Sequence, residues 1–144
     1  MEFKLIQGVI ITELKIINNY KGNILHALKA SESSFVNFGE AYFTEINYEE
    51  IKGWKKHHKM ILNFIVPIGN IEFFLIDKRI NSNSFNKYFK IVIGKSNYSR
   101  LTIPPNIWVA FKGLDINNLL LNIANIEHDI NESENLNLDY FNVF

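Results

Sequence analysis

The chain alternates short apolar runs with clusters of turn residues, and this pattern predicts strands along most of its length. The runs are rich in β-branched and aromatic residues, which suit the pleated, half-buried surface of a sheet. None of them keeps a 3.6-residue period long enough to predict an amphipathic helix. We therefore predict an all-β, antiparallel jelly-roll barrel. The predicted strand regions are residues 8–17, 40–47, 60–69, 70–77, 89–94, 99–105 and 117–126.

Three local features refine this prediction. The Gly69-Asn70 pair predicts a tight turn that joins its two flanking runs in a hairpin. Residues 24–35 are ambiguous, and their second half is compatible with a short helix. From Asn131 the C-terminal tail is polar and then aromatic, so we expect it to dock on the barrel. The aromatic residues of this tail are Tyr140, Phe141 and Phe144.

Length and composition narrow the class of protein. A chain of 144 residues without a linker suits one core, so we expect a single domain over residues 1–144. Lys and Arg total 15, as do Asp and Glu, so the chain lacks the excess of positive charge that is typical of nucleic-acid-binding proteins. The absence of cysteine excludes disulfides and thiolate chemistry. The N-terminal run interleaves charges with apolar residues, unlike a signal peptide or membrane span, so we expect a cytoplasmic protein without membrane partners.

Residues 51–60, IKGWKKHHKM, concentrate positive charge around one tryptophan. His57 and His58 could bind a metal together with Glu45, but adjacent side chains on a strand point to opposite faces. The sequence also lacks any pair of histidines separated by one residue. We therefore expect no metal site and no cofactor.

The same alternation divides the cluster into two faces, with Lys55, His57 and Lys59 on one and Lys56 and His58 on the other. One face can line a cavity, where a histidine would act as general base and an ammonium would stabilise an enolate or a phosphate. The simpler alternative is a strand edge whose cations stay in water. The sequence leaves both interpretations open.

Arg100 precedes a rigid turn at Pro104-Pro105. Its guanidinium could hold a phosphate or pair with a surface carboxylate, and both interpretations remain open. The aromatic residues after the turn, Trp108 and Phe111, are expected to be core residues.

Five segments carry a resemblance to a known family: LHALKAS, GEAYFTEINYEEIKGWKKHHKM, VPIGNIEFFLIDKR, NYSRLTIPPNIWVAF and LLLNIANIEHD. Together they resemble the dTDP-4-dehydrorhamnose 3,5-epimerase family of the cupin superfamily, over about residues 18–130. The resemblance implies a cupin jelly roll and a homodimer with an active site inside each barrel. It also implies nucleotide-linked 4-keto-6-deoxyhexose substrates and no metal.

In that family a base removes the proton beside the C4 ketone, an enolate forms, and an acid returns a proton to the other face. The position matching the family's histidine base is Lys55, and that matching its tyrosine acid is Asn122. The family's active-site lysine falls near Leu62 or Asn63, and we expect the C-terminal segment that orients the base to be lacking. The resemblance therefore implies that a desolvated Lys55, or His57, is the base.

Because Asn122 cannot deliver a proton, water or Tyr42 would be the acid. We expect an epimerase or isomerase acting beside the ketone of a nucleotide-linked 4-keto-6-deoxyhexose in surface polysaccharide biosynthesis. The alternative is a non-catalytic sugar-nucleotide-binding cupin, a partner or regulator of a pathway enzyme. The resemblance implies binding roles for Lys21 and His26 at the nucleotide, Glu40 and Tyr42 at the sugar, Lys52 at phosphate, and Asn122 in the pocket. Arg100 is a further candidate at phosphate.

Overall fold

The computed structural model describes residues 5–144 and consists mainly of strands. Two short 3₁₀ helices, η1 (Ile130–Glu132) and η2 (Leu138–Phe141), lie near the C-terminus. No helix in this described range is long and apolar enough to span a membrane. The strands are β1 (Ile10–Glu13), β2 (Ile16–Ile17), β3 (Ile24–Leu25), β4 (Glu40–Asn47), β5 (Ile51–His57), β6 (Leu62–Ile68), β7 (Asn70–Asp77), β8 (Tyr88–Gly94), β9 (Ser99–Ile103), β10 (Ile107–Gly113), β11 (Asn117–Ala124) and β12 (Ser133–Asn135).

Two five-stranded antiparallel sheets face each other across the core. The first sheet has the order β1-β9-β6-β11-β4 and the second the order β12-β5-β10-β7-β8, while β2 and β3 form a separate pair. Apolar side chains of the two inner faces meet between the sheets; Phe64 stacks on Phe73, for example, with ring centroids 5.3 Å apart. This architecture confirms the predicted antiparallel jelly roll.

The turn at Gly69-Asn70 does not form the predicted hairpin. It carries the chain from β6 in the first sheet to β7 in the second, so the two strands pair with other partners. Gly69 has a φ of 81°, and a Cβ there would lie 2.3 Å from the carbonyl oxygen of Asn117. The Asn118 side chain then accepts a hydrogen bond from the Asn70 amide at 3.1 Å, which fixes the crossing to β11.

The N-terminal third also differs from its prediction. Residues 8–17 contain two short strands with a break between them, and no helix forms in residues 24–35. After β3 the chain follows turns across the side of the first sheet that faces away from the core. Arg100, on β9, ties it there by donating hydrogen bonds to the Ala27 carbonyl at 2.6 Å and the Ser34 hydroxyl at 2.8 Å.

The C-terminal tail docks on the outer face of the second sheet, as predicted. Phe141 meets the buried ring of Trp54 edge-on, with centroids 5.2 Å apart, and Phe144 packs against Phe74 at 4.8 Å. Tyr140 contributes less, because it is 63% exposed and touches mainly Phe141. The docked tail thereby covers the outer side of β5, the strand that carries the cation cluster.

Candidate active site

A cavity of about 380 Å³ lies between the two sheets and opens to solvent. Its walls combine apolar side chains with a small number of polar ones, as is typical of small-molecule sites. Residues from β4, β6 and β11 line one side, and residues from β5, β10 and β12 line the other. The lining residues are Tyr42, Thr44, Lys52, Gly53, Lys55, His57, Leu62, Phe64, Val109, Phe111, Leu120, Asn122 and Asn135.

A bulge in β5 brings two lysines to the same wall of this cavity. Lys52 and Lys55 are three residues apart and would face opposite ways on a regular strand. The pairing with β10 shifts register between them, and Gly53 within the bulge has a φ of 135°. A Cβ on Gly53 would lie 2.6 Å from the Cβ of Ala110, so only glycine fits where the two strands meet.

His57 projects from β5 and is paired with a buried carboxylate. Its Nδ1 donates a hydrogen bond to Oε1 of Glu132, and the two side chains are 10% and 5% exposed. The second oxygen, Oε2, accepts hydrogen bonds from the backbone amides of Lys59 at 3.0 Å and Met60 at 3.1 Å. Because Nδ1 holds the proton, Nε2 is the nitrogen that can accept one.

Burial opposes ionisation of Glu132, but its hydrogen bonds outweigh this effect. Bonds from His57 and from the two backbone amides hold the pKa of the Glu132 carboxyl below its usual value. The group is therefore a carboxylate at neutral pH. A carboxylate bonded to Nδ1 fixes the tautomer and orientation of an imidazole that works as a base.

The expectation that this chain lacks a segment to orient the base is wrong. Glu132 ends η1, and β12 then pairs with β5 so that Ser133 lies opposite His57. Glu134, on β12, binds Lys56 and His58 instead, on the outer side of β5. The only indication of Glu132 in the sequence is that it is an acidic residue in a tail that was expected to dock. Glu134 lies in the same tail, and no local feature distinguishes the two.

Tyr42 and Asn122 lie on the first sheet, opposite each other on β4 and β11. The Asn122 amide donates to the Tyr42 hydroxyl at 3.0 Å, and its oxygen accepts from the Asn63 backbone amide at 3.1 Å. Asn122 is only 1% exposed, so its orientation is fixed by burial as well as by these bonds. The hydroxyl of Tyr42 is thereby held in the cavity wall, across from the wall that carries His57.

The two cavity lysines differ in their contacts. Lys52 Nζ donates to the carbonyl oxygen of Glu45 at 2.7 Å. The Lys55 ammonium has no hydrogen-bond or ion-pair partner among residues 5–144, and the residue is exposed. Lys55 is therefore not the desolvated lysine that was expected as a base. The oriented imidazole of His57 suits the role of base better.

Arg100 does not reach the cavity, and its predicted role at phosphate is wrong. Its guanidinium is fully buried and forms an ion pair with Glu32 at 2.5 Å, in addition to its bonds to the segment after β3. The pair with a carboxylate was the other interpretation that the sequence left open. Burial and pairing leave the group unavailable to a ligand.

Three further predicted binding residues, Lys21, His26 and Glu40, are not among those that line the cavity. Lys21 lies exposed in the turn between β2 and β3, with its ammonium over the ring of Tyr20. The carbonyl oxygen of His26 accepts a hydrogen bond from the Tyr98 hydroxyl at 2.7 Å. The structure brings together Tyr42, Lys52, Lys55, His57 and Asn122 in the cavity and places these three elsewhere.

Within residues 5–144, no group of three or more His, Asp or Glu side chains is arranged to hold a metal ion. His57 and His58 point to opposite sides of β5, as the strand alternation predicts. Their carboxylate partners differ accordingly, Glu132 for His57 and Glu134 for His58.

Comparison with known proteins identifies the family. A dTDP sugar isomerase from Desulfovibrio desulfuricans G20 has 34% sequence identity and a TM-score of 0.91, covering 94% of this chain and 87% of its own. The chain belongs to the dTDP-4-dehydrorhamnose 3,5-epimerase family. This confirms the resemblance, although no protein-family model matches the chain.

Two more distant proteins are also similar to this chain. The dTDP-4-dehydrorhamnose 3,5-epimerase from Sulfolobus tokodaii shares the fold with a TM-score of 0.84 and 20% identity, covering 93% of this chain and 80% of its own. A probable low-salt glycan biosynthesis epimerase from Haloferax volcanii is 22% identical, over 94% of this chain and 88% of its own length. The sequences have thus diverged much further than the barrel.

Proposed function

We propose that the protein is a sugar-nucleotide epimerase or isomerase of glycan biosynthesis that acts beside the ketone of a nucleotide-linked 4-keto-6-deoxyhexose. The observation that carries the proposal is the pairing of His57 with Glu132 on one wall of the cavity, across from Tyr42 and Asn122 on the other. This arrangement offers an oriented base and a positioned hydroxyl within a family of sugar-nucleotide epimerases.

In the proposed mechanism, Nε2 of His57 removes the proton from the carbon next to the ketone. The electron pair of the broken C–H bond becomes the C=C bond of an enolate, and the ketone oxygen takes up the charge. The Tyr42 hydroxyl, held by Asn122, then returns a proton to the other face, and the configuration of that carbon is inverted. Exchange with water afterwards restores the protonation states of His57 and Tyr42.

We further propose that a nucleoside diphosphate binds with its phosphates at Lys52 and that the protein works in the cytoplasm as a homodimer. Exposed apolar side chains of the first sheet and of the preceding segment, among them Phe43 and Phe38, would form the contact between copies. Because Lys21 and His26 do not line the cavity of their own chain, their implied role at the nucleotide requires a second copy.

The non-catalytic alternative is not favoured. A protein that only binds a sugar nucleotide has no use for a buried carboxylate fixing the tautomer of a cavity histidine. Paired buried groups of this kind are costly to maintain without a function in proton transfer.

Hydrogen exchange tests the proposal directly. The protein is incubated in D₂O with dTDP-, CDP- and GDP-linked 4-keto-6-deoxyhexoses, and deuterium at C3 and C5 is measured by mass spectrometry. We expect exchange with at least one substrate, reduced on the order of 10²-fold or more in His57→Ala. His58→Ala, on the outer side of the same strand, is the matched control and should retain full exchange. No exchange above the buffer background with any substrate, while the nucleotides bind, would overturn the proposal.

A further inference from the structure

We propose that Trp54, on the outer face of β5, is a positioning residue for the pair of His57 and Glu132. Its indole anchors the C-terminal tail, and the tail in turn holds Glu132 against His57. This inference rests on the proposed function and adds to it the contact that keeps the carboxylate in place. Trp54 does not line the cavity, because its side chain points to the other side of β5 and is fully buried beneath the tail.

Glu132 depends on an anchor because the chain around it is weakly held. Residues 127–131, which precede it, are all exposed. β12, which follows it, has three residues and lies at the edge of the second sheet, with β5 as its partner. A short, exposed edge strand makes few buried contacts and opens locally at a low cost in free energy. The contacts that fix the position of Glu132 must therefore include those made farther along the tail.

Those contacts converge on Trp54. Its backbone and that of Leu136 exchange two hydrogen bonds, at 3.1 and 3.0 Å, directly after β12. Its indole Nε1 donates a further hydrogen bond to the carbonyl oxygen of Leu138 at 3.2 Å. The rings of Phe141 and Phe144 pack on the indole, with centroids 5.2 and 5.6 Å from it. One side chain therefore holds the tail through both a directional bond and aromatic packing.

The anchor is close enough to His57 to control the geometry of the pair. Trp54 and His57 lie on the same strand, and β12 pairs with the residues between them. Leu136 is bonded to Trp54 and Ser133 lies opposite His57, so a displacement of the tail at Leu136 is transmitted along β12 to Glu132. A misplacement of about 1 Å in a catalytic group can lower a reaction rate by about 10²-fold.

The test compares Trp54→Leu and Trp54→Phe with a matched control, Trp108→Leu. Trp108 belongs to the same outer cluster and contacts Phe141, with ring centroids 6.0 Å apart. Its strand, β10, lies one strand further from β12 than β5 does. The control therefore removes a comparable indole from the same cluster while leaving the contacts of Trp54 with the tail in place.

Backbone amide exchange, followed by NMR, reports the position of Glu132 without a substrate. The amides of Lys59 and Met60 donate to its carboxylate, so they exchange with solvent when the carboxylate is displaced. We expect Trp54→Phe, which loses the indole N–H, to speed the exchange of both amides by about tenfold. Trp54→Leu should speed it by about 10²-fold. Trp108→Leu should leave both amides within about twofold of the wild type.

Substrate exchange then links the anchor to catalysis. Deuterium incorporation from D₂O at C3 and C5, measured at saturating substrate, should fall about tenfold or more in Trp54→Leu and stay at the wild-type level in Trp108→Leu. A purely structural role would lower Tm in both variants without producing this difference. In a Glu132→Gln background, Trp54→Leu should cause no further loss, because its effect passes through the carboxylate.

The outcomes separate this inference from the proposed function. If Trp54→Leu and Trp108→Leu speed the amide exchange equally, Trp54 is a core residue and the inference is overturned. A further loss of substrate exchange in the Glu132→Gln background would show that Trp54 acts by another route, and the inference would again be wrong. If Trp54→Leu does not fold, the amide exchange of Trp54→Phe decides. A wild type without substrate exchange rejects the proposed function, while amide exchange still decides whether Trp54 positions Glu132.

Discussion

The two faces of strand β5 carry similar residues in very different surroundings. On the outer face, Trp54 is fully buried under the tail, while Lys56 and His58 share the exposed carboxylate of Glu134 at 3.0 and 3.2 Å. On the inner face, Lys55 has no partner among residues 5–144, and His57 is bound to a carboxylate that is itself buried. One strand therefore supplies a structural contact on one side and, in the proposed function, the reactive group on the other.

This difference indicates that the burial of the carboxylate partner determines whether each imidazole is held in a fixed orientation. An exposed pair such as His58 with Glu134 is screened by water and adds little to stability or to orientation. The pair of His57 with Glu132 is largely desolvated, and the carboxylate is held in place by hydrogen bonds from His57 and from two backbone amides. The C-terminal tail provides both acids and so determines the character of both faces.

Replacing Glu132 should have the largest effect on this comparison. In Glu132→Gln the imidazole loses the charged partner that fixes its tautomer, so we expect exchange at C3 or C5 to fall on the order of 10²-fold or more. Binding of dTDP should change little, because Glu132 does not line the cavity. Glu134→Gln is the matched control and should stay within twofold of the wild type. Equal losses in both variants would show that the two faces do not differ as described.

Removing the aromatic contacts of the tail should have the next largest effect. Phe141→Ala and Phe144→Ala each delete a ring packed on the outer cluster of Trp54 and Phe74, and we expect each to lower the free energy of unfolding by about 1–3 kcal/mol. Urea denaturation measures this. Tyr140→Ala serves as the control and should cost clearly less, since that side chain is mostly exposed. A tail that contributes nothing to stability would leave all three midpoints at the wild-type value.

The acid dependence of stability should sharpen the contrast between the two carboxylates. The folded-state pKa of Glu132 lies below its usual value of 4.5, so its charge stabilises the fold above that pH. This contribution is lost as the pH falls through the lower folded-state pKa. We therefore expect Glu132→Gln to flatten the fall of Tm as the pH decreases below about 5, measured by calorimetry. Bonding to Lys56 also lowers the pKa of Glu134, but this side chain is half-exposed, so Glu134→Gln should stay close to the wild-type curve.

The smallest effects are expected on the outer face itself. Lys56→Ala and His58→Ala break solvated contacts with Glu134, so each should change the free energy of unfolding by less than about 0.5–1 kcal/mol. Lys56 also lies 5.0 Å from the ring of Trp108, and this contact places its expected loss at the upper end of that range. Deuterium exchange in both variants should match the wild type. A tenfold loss of exchange in either one would contradict the separation of the two faces.

Much of the fold followed from local pattern. Alternating apolar runs predicted several of the strands closely, and β4 and β7 have the predicted bounds of residues 40–47 and 70–77. The same period of two correctly separated Lys55 and His57 from Lys56 and His58, because side-chain alternation is a property of any strand. The family resemblance added the position of the active site inside the barrel. Within the site, Tyr42 and Lys52 were also identified before the structure.

What the sequence could not determine depends on contacts between distant residues. Glu132 reaches His57 across 75 positions, and Arg100 reaches Glu32 across 68, so no local pattern reveals either pairing. The Gly69-Asn70 turn has the composition of a hairpin, yet the packing of the two sheets sends its strands to different partners. Local sequence sets backbone preference and which side chains share a face. Only the assembled barrel decides which charged groups meet and which of them are buried, because burial and pairing energies arise from tertiary contacts.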